Sequence, residues 1–200
     1  MKKNLFILEE HLDDKYPVDL RHYTHIRAYH ACRPLNISDY LQEGIKPIDY
    51  KMALYDTKTR IVSKYVSEAD AVCMLCSLWK DFHDMHKKVW VQMNKNDLLT
   101  YSGHYLIYGS EFINALAMNL GCRDKLKKIG IPTIFSCDIP TENIDCSTIL
   151  DIEQCFYNGH TDDIGFSVPK IYPEDIAGYE HPVKGIPDPY YGGIEYIPTY

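Results

Sequence analysis

Polar and apolar residues alternate over 22–30 (HYTHIRAYH). Tyr23, His25, Arg27 and Tyr29 fall on one face, and Thr24, Ile26, Ala28 and His30 on the other. A period of two predicts a strand. Upstream, residues 1–20 read as a short helix or an extended arm ending near Pro17. Downstream, Asn36 or Ser38 caps a helix over 38–43, and Gly44 ends it in a left-handed conformation before a turn into Ile45. The longest helical stretch is 67–88, with Ser67 as N-cap, Asp70 in its first turn and an apolar stripe at 69, 72, 73, 76 and 79. Residues 104–109 (HYLIYG) read as a buried strand, turning at Gly109-Ser110 into a helix over 111–120 closed by Gly121. Further strands are expected at 131–139 and 164–168, with a short segment at 176–180. From 182 onward, Pro and Gly supply 7 of 19 residues and Tyr another 4, so the end of the chain is expected to be irregular or wrapped on the body. Long excursions between strands predict an α+β fold, not a βαβ array.

Composition narrows the class. A chain of 200 residues predicts a single domain over 1–200. Hydrophobic residues at 46% and charged residues at 24% suit a globular protein. No apolar run approaches the roughly 18 residues of a membrane span. The N-terminal MKKNLFILEEHLDDKY meets acids within nine residues and lacks a small-residue cleavage site. These features predict a cytoplasmic protein with no membrane partner. The net charge of -7 is uneven: residues 1–100 hold 15 basic and 14 acidic residues, whereas after residue 128 there are 12 acids against 2 bases. No overall Lys/Arg surplus marks a nucleic-acid platform, although a local groove can still be positive. Seven dispersed cysteines, an odd number, predict a reducing compartment and mostly buried thiols.

Several chemistries are weakened by spacing. Cys73, Cys76, His83 and His86 invite a zinc reading, but one continuous helix would separate Cys73 from His86 by about 20 Å. No metal site is therefore assigned. His30 and Cys32 share a strand face, yet nothing marks Cys32 as activated. Phosphate loops of the GxGxxG and GxxxxGK[ST] types are absent, as are HExxH and GxSxG.

Three stretches carry the remaining signal. They are Tyr29-His30-Ala31-Cys32-Arg33 followed by Gly44-Ile45; His104-Tyr105-Leu106-Ile107-Tyr108-Gly109-Ser110-Glu111; and Asp162-Asp163-Ile164-Gly165-Phe166-Ser167-Val168 followed by Ile171-Tyr172-Pro173-Glu174-Asp175-Ile176. In this order, over roughly residues 23–180, the chain resembles the ADP-ribosyltransferase superfamily in its His-Tyr-Glu branch. That branch includes poly-ADP-ribose polymerases, diphtheria-type toxins and DNA-targeting bacterial toxins. The resemblance implies split antiparallel sheets with flanking helices around an NAD cleft. It also implies transfer of ADP-ribose from NAD to a protein or nucleic-acid acceptor. A microbial toxin or defence effector with an antitoxin or regulatory partner is the implied setting. The chain departs from the family where the third strand opens, with Asp162-Asp163 in place of Glu.

The resemblance also implies roles. His30 would bond a ribose hydroxyl, Ala31 would offer its backbone to the carboxamide, and Arg33 would hold the pyrophosphate. Tyr105 or Tyr108 would stack the cationic ring; three apart on a strand, at most one can face it. Asp163 or Asp162 would stabilise the oxocarbenium-like transition state, with Glu111 in reserve and Ser110 bracing the carboxylate. Plainer roles stand beside these: a core histidine, core aromatics, an N-cap at Ser110 and loop acids at 162 and 163. Two other readings remain: a non-catalytic module of the same fold, and an RNA-directed phosphotransferase of related fold.

Overall fold

The computed structural model describes residues 3–12, 18–82, 87–162 and 164–199. The alternating segment becomes strand β2, His25–Cys32, at the centre of a six-stranded sheet. On one side lies β4 (Thr133–Pro140), followed by β6 (Ile176–Glu180); on the other lies β3 (Val89–Gln92), followed by β5 (Gly165–Val168). These neighbours are all antiparallel. The two-residue β1 (Leu5–Phe6) pairs in parallel with His25 and Ile26.

Pairing across the sheet is uneven. β2 and β4 are laced from His25 opposite Pro140 to Cys32 opposite Thr133. β3 and β5 are laced from Val89 opposite Val168 to Gln92 opposite Gly165. Between these two halves, the β2–β3 ladder among the described residues is confined to Tyr29 opposite Gln92. The sheet thus consists of a β2–β4–β6 part and a β3–β5 part that part company beyond Tyr29.

Each face of the sheet buries its own core. Ile26, Ala28, Val89, Val91, Phe135 and Phe166 pack beneath α1 (Ile37–Glu43) and α7 (Cys146–Tyr157). Tyr29, Ala31 and Ile134 pack beneath α2 (Tyr50–Asp56), α3 (Glu68–Lys80), α4 (Lys95–Thr100), α5 (His104–Tyr108) and α6 (Glu111–Asn119). The protein is therefore α+β, with helices on both faces of a largely antiparallel sheet. Burial on both faces fixes the register of β2. A one-residue slip would drive Arg27 into the α1–α7 core, and each large apolar side chain withdrawn loses roughly 1.5–3 kcal/mol.

Local chemistry explains the helix ends. Asn36 accepts from the Ser38 N–H and caps α1, and Gly44 closes it at φ 78°, ψ -174°. That backbone is positive in φ as expected, but extended in ψ. Ser67 caps α3 by accepting from the Asp70 N–H.

Three expectations are corrected. The run 104–109 is not a strand but the helix α5, bounded by Gly103 and by Gly109 at φ 89°. Five apolar-rich residues cannot distinguish the two by period, and here three consecutive buried residues, Leu106 to Tyr108, fill the helical layer. Helix α3 ends at Lys80, and its buried residues are Ala71 and Leu75, with Leu78 and Trp79 packed alongside; Ala69 and Cys73 face solvent. Apolar residues occupy two offset stripes of that helix, and the bulkier one is buried. His83 and His86 lie outside the described residues. All seven cysteines are free, but Cys137 alone is fully buried, because the others sit on helix flanks or strand ends. The tail forms a short hairpin, β7 (Ile186–Pro187) with β8 (Glu195–Tyr196), and Ile186 enters the core beneath the helices. Among the described residues no helix is long and apolar enough to cross a membrane.

Candidate functional site at the parting of the sheet

His30 stands where β2 and β3 diverge. Its Nδ1 lies 2.9 Å from the Trp90 carbonyl oxygen on β3, so the side chain takes over where the backbone ladder stops. A carbonyl only accepts, so Nδ1 carries the proton and Nε2 of the neutral ring is an acceptor. Burial holds the His30 pKa below the usual histidine value, which favours that neutral form at pH 7. Trp90 is 46% exposed, and its indole lies on the opposite face of β3 from the buried Val89 and Val91. Next along the strand, Gln92 faces Gly165 at the head of β5. A Cβ on Gly165 would stand about 3.0 Å from both terminal atoms of the Gln92 amide. Trp90 and Gln92 escaped the sequence reading; the alternation Val89-Trp90-Val91-Gln92 was the available signal.

Arg33 is not arranged for a pyrophosphate. It is 4% exposed, and its guanidinium donates to the carbonyls of Ile129 (2.7 Å), Leu106 (3.0 Å) and Lys127 (2.5 Å) and to the Tyr196 hydroxyl (3.0 Å). A donor fork saturated by carbonyls ties β2 to α5, to the 3-10 turn Arg123–Lys128 and to the tail. Ala31 is buried under the helical layer, and its partner across the ladder is Ile134. Cys32 shares the His30 face, and burial pushes its thiol pKa well up, which opposes a thiolate nucleophile.

The second stretch does come together, but on the helical layer and not beside His30. The Tyr105 hydroxyl donates to Glu111 Oε1 at 3.1 Å, and His104 Nε2 lies 3.5 Å from the same oxygen. Burial, with Glu111 beside it, raises the Tyr105 phenol. The Tyr105 ring already lies against His104, with centroids 4.1 Å apart. Ser110 is the N-cap of α6 and accepts from the Ile113 N–H. Tyr108 is fully buried, and its hydroxyl donates to Asp188 Oδ2 at 2.5 Å, so it is a core aromatic with no open face for a ring. Burial and this bond raise its pKa. Lys127 completes the group, 3.2 Å from Asp188 and 3.1 Å from Asp124. Burial opposes its charge, but hydrogen bonds with Asp124, Tyr108 and Asp188 outweigh that and hold its pKa above the ordinary lysine value.

Asp162 is exposed in the turn before β5, and Asp163 lies outside the described residues. Of the carboxylates considered, Glu111 has described polar partners. His30, Tyr108 and Glu111 do not form one pocket: His30 belongs to the α1–α7 face of β2, and the other two belong to the helical layer.

No family model, curated protein or solved structure matches the chain. What fold and site define is an α+β protein whose central sheet parts at a neutral, backbone-anchored histidine.

Proposed function

We propose that the protein is an NAD-dependent ADP-ribosyltransferase, with NAD as substrate and a macromolecular acceptor, and that NAD binds where β2 and β3 separate. The observation that carries this reading is His30, bridging the parting through Nδ1 to the Trp90 carbonyl. That anchor leaves Nε2 free to accept from a ribose hydroxyl. Trp90 contributes its backbone carbonyl to that anchor, while its indole lies on the other face of the sheet. Arg33 and Tyr108 drop out of the binding set, because their polar atoms are already used. The carboxylate that stabilises the oxocarbenium-like transition state is assigned to the segment entering β5, at Asp162 or Asp163, because Glu111 lies in the helical layer and does not share the pocket of His30.

One observation favours the second reading, a non-catalytic module of this fold. The Gln92 amide packs against Gly165, at the strand opening where the family carries its Glu.

The test is release of nicotinamide from labelled NAD, with and without cell lysate as a source of acceptors. Turnover should be lost in His30→Ala, and in Asp162→Ala or Asp163→Ala. If the folded protein releases no nicotinamide and transfers no label, the enzyme reading is rejected. Saturable NAD binding without turnover would establish the module.

A further inference from the structure

We propose that the cleft between the turn 63–66 and the segment 118–128 is a binding site for single-stranded nucleic acid. The cleft encloses about 700 Å³ and is open along one side. Lys64, Arg123, Lys125 and Lys128 line it, against one carboxylate, Asp124. In a chain of net charge -7, this concentration of cations is local and opposite in sign to the whole. It is the kind of positive groove that the overall charge left open.

The cations are held in place while their charge stays unspent. Lys125 Nζ donates to the carbonyls of Ile61 and Val62, at 3.2 and 2.7 Å, and so ties the two walls together. Asp124 is engaged by Lys127, outside the cleft lining. Among the described residues no carboxylate lies within ion-pair distance of Lys64, Arg123 or Lys128. Arg123 is positioned by aromatic faces instead, 4.3 Å from the Tyr190 ring centre and 5.3 Å from that of Tyr191. One of its amino groups rests on Met118 Sδ at 3.9 Å and the Tyr191 hydroxyl bonds the guanidinium, which leaves its remaining in-plane donors for phosphate oxygens.

The aromatic component selects the occupant. Tyr65 is 83% exposed at the rim, with Lys64 Nζ 4.8 Å from its ring centre. A large planar side chain left in water beside an unpaired ammonium is the combination that holds a nucleotide strand: base on ring, phosphate on cation. An acidic peptide would use the cations but not the ring, and a duplex would not offer unstacked bases. The cleft wall is also fixed to strand β2, because Arg33 holds the Lys127 carbonyl. None of these contacts depends on ADP-ribose transfer.

The test is fluorescence anisotropy of the full-length protein with a labelled 12-nucleotide oligo-dT and its oligo-rU equivalent. Expected is binding that weakens steeply between 50 and 200 mM salt, as phosphate contacts require. Lys64→Glu with Lys128→Glu, two exposed changes, should weaken it at least tenfold. Tyr65→Ala should weaken it about tenfold, the loss of one base stack. Circular dichroism melting confirms that each variant is folded. Absence of binding to either strand at low salt would overturn the proposal. So would unchanged binding by the folded charge-reversed variant, or equal competition by poly-glutamate or by a duplex of the same length.

Discussion

At the scale of single residues, the chain uses side chains where backbone pairing fails. His30 spans a gap in the β2–β3 ladder, and Arg33, three residues on, clamps three carbonyls and a hydroxyl. The first role was partly legible, since alternation placed His30 on a strand and its face. The second was not: the carbonyls Arg33 binds lie 73 to 96 positions away and leave no mark in side-chain chemistry. His30 also makes stability depend on pH. Its folded pKa is depressed by burial, so the unfolded chain binds the proton more readily. Its stabilising contribution is therefore complete above the unfolded value of about 6.5 and is lost as pH falls below it, at up to about 1.4 kcal/mol per pH unit. Urea unfolding at pH 8, 7, 6 and 5 should record this decline. His30→Gln should be less stable at pH 7 and should show a shallower slope below pH 6.5. Equal slopes would mean that another group sets the acid sensitivity.

At the scale of elements, the sequence was most informative where a cap or turn has one chemical solution. Asn36, Ser67 and Ser110 all cap the helices they were expected to start. Strands β2, β4, β5 and β6 fall within a few residues of their expected limits. It failed where apolar residues offered two solutions. The five-residue α5 lacked the length to display a period, and α3 carried two apolar stripes, so tertiary packing decided both. Gly44 is a position where a turn tolerates nothing else. Its φ is 78°, and a Cβ would run into the Ile171 carbonyl oxygen. The next residue, Ile45, exchanges two backbone hydrogen bonds with Ile171, each 2.9 Å. Gly44→Ala must strain the backbone and push these two segments apart. A loss of at least about 2 kcal/mol is expected, seen as a lower urea midpoint with unchanged slope. Gly44→Asn should be no better, even though asparagine tolerates positive φ, because the obstruction is the Cβ itself.

At the scale of the whole molecule, the tail is a structural member. Asp188 is buried with Tyr108 and Lys127, Asn114 donates to the Tyr190 hydroxyl at 3.0 Å, and the Tyr196 hydroxyl meets Arg33. The Asp188 and Tyr190 contacts land on α5, α6 and the 123–128 turn, and the Tyr196 contact on Arg33 just beyond β2, outside the β2–β4 ladder. The acidic end of the chain therefore returns one buried carboxylate to the most basic part of the helical layer. Composition suggested a wrapped tail, but not this pairing, because neither Asp188 nor Lys127 is unusual in its own neighbourhood. Removing this carboxylate should cost about 3 kcal/mol, since Asp188→Ala leaves the buried Tyr108 hydroxyl without its acceptor and Lys127 with Asp124 alone. For a chain of this size, that lowers the melting temperature by roughly 10 °C. Hydrogen exchange locates the effect. In Asp188→Ala, amides of α5, α6 and residues 123–128 should exchange faster, while those pairing β2 with β4 should change least. If protection instead falls equally across the sheet, the tail is part of one cooperative core. If it is unchanged on the helices, the contacts of Asp188 do not hold the layer in place.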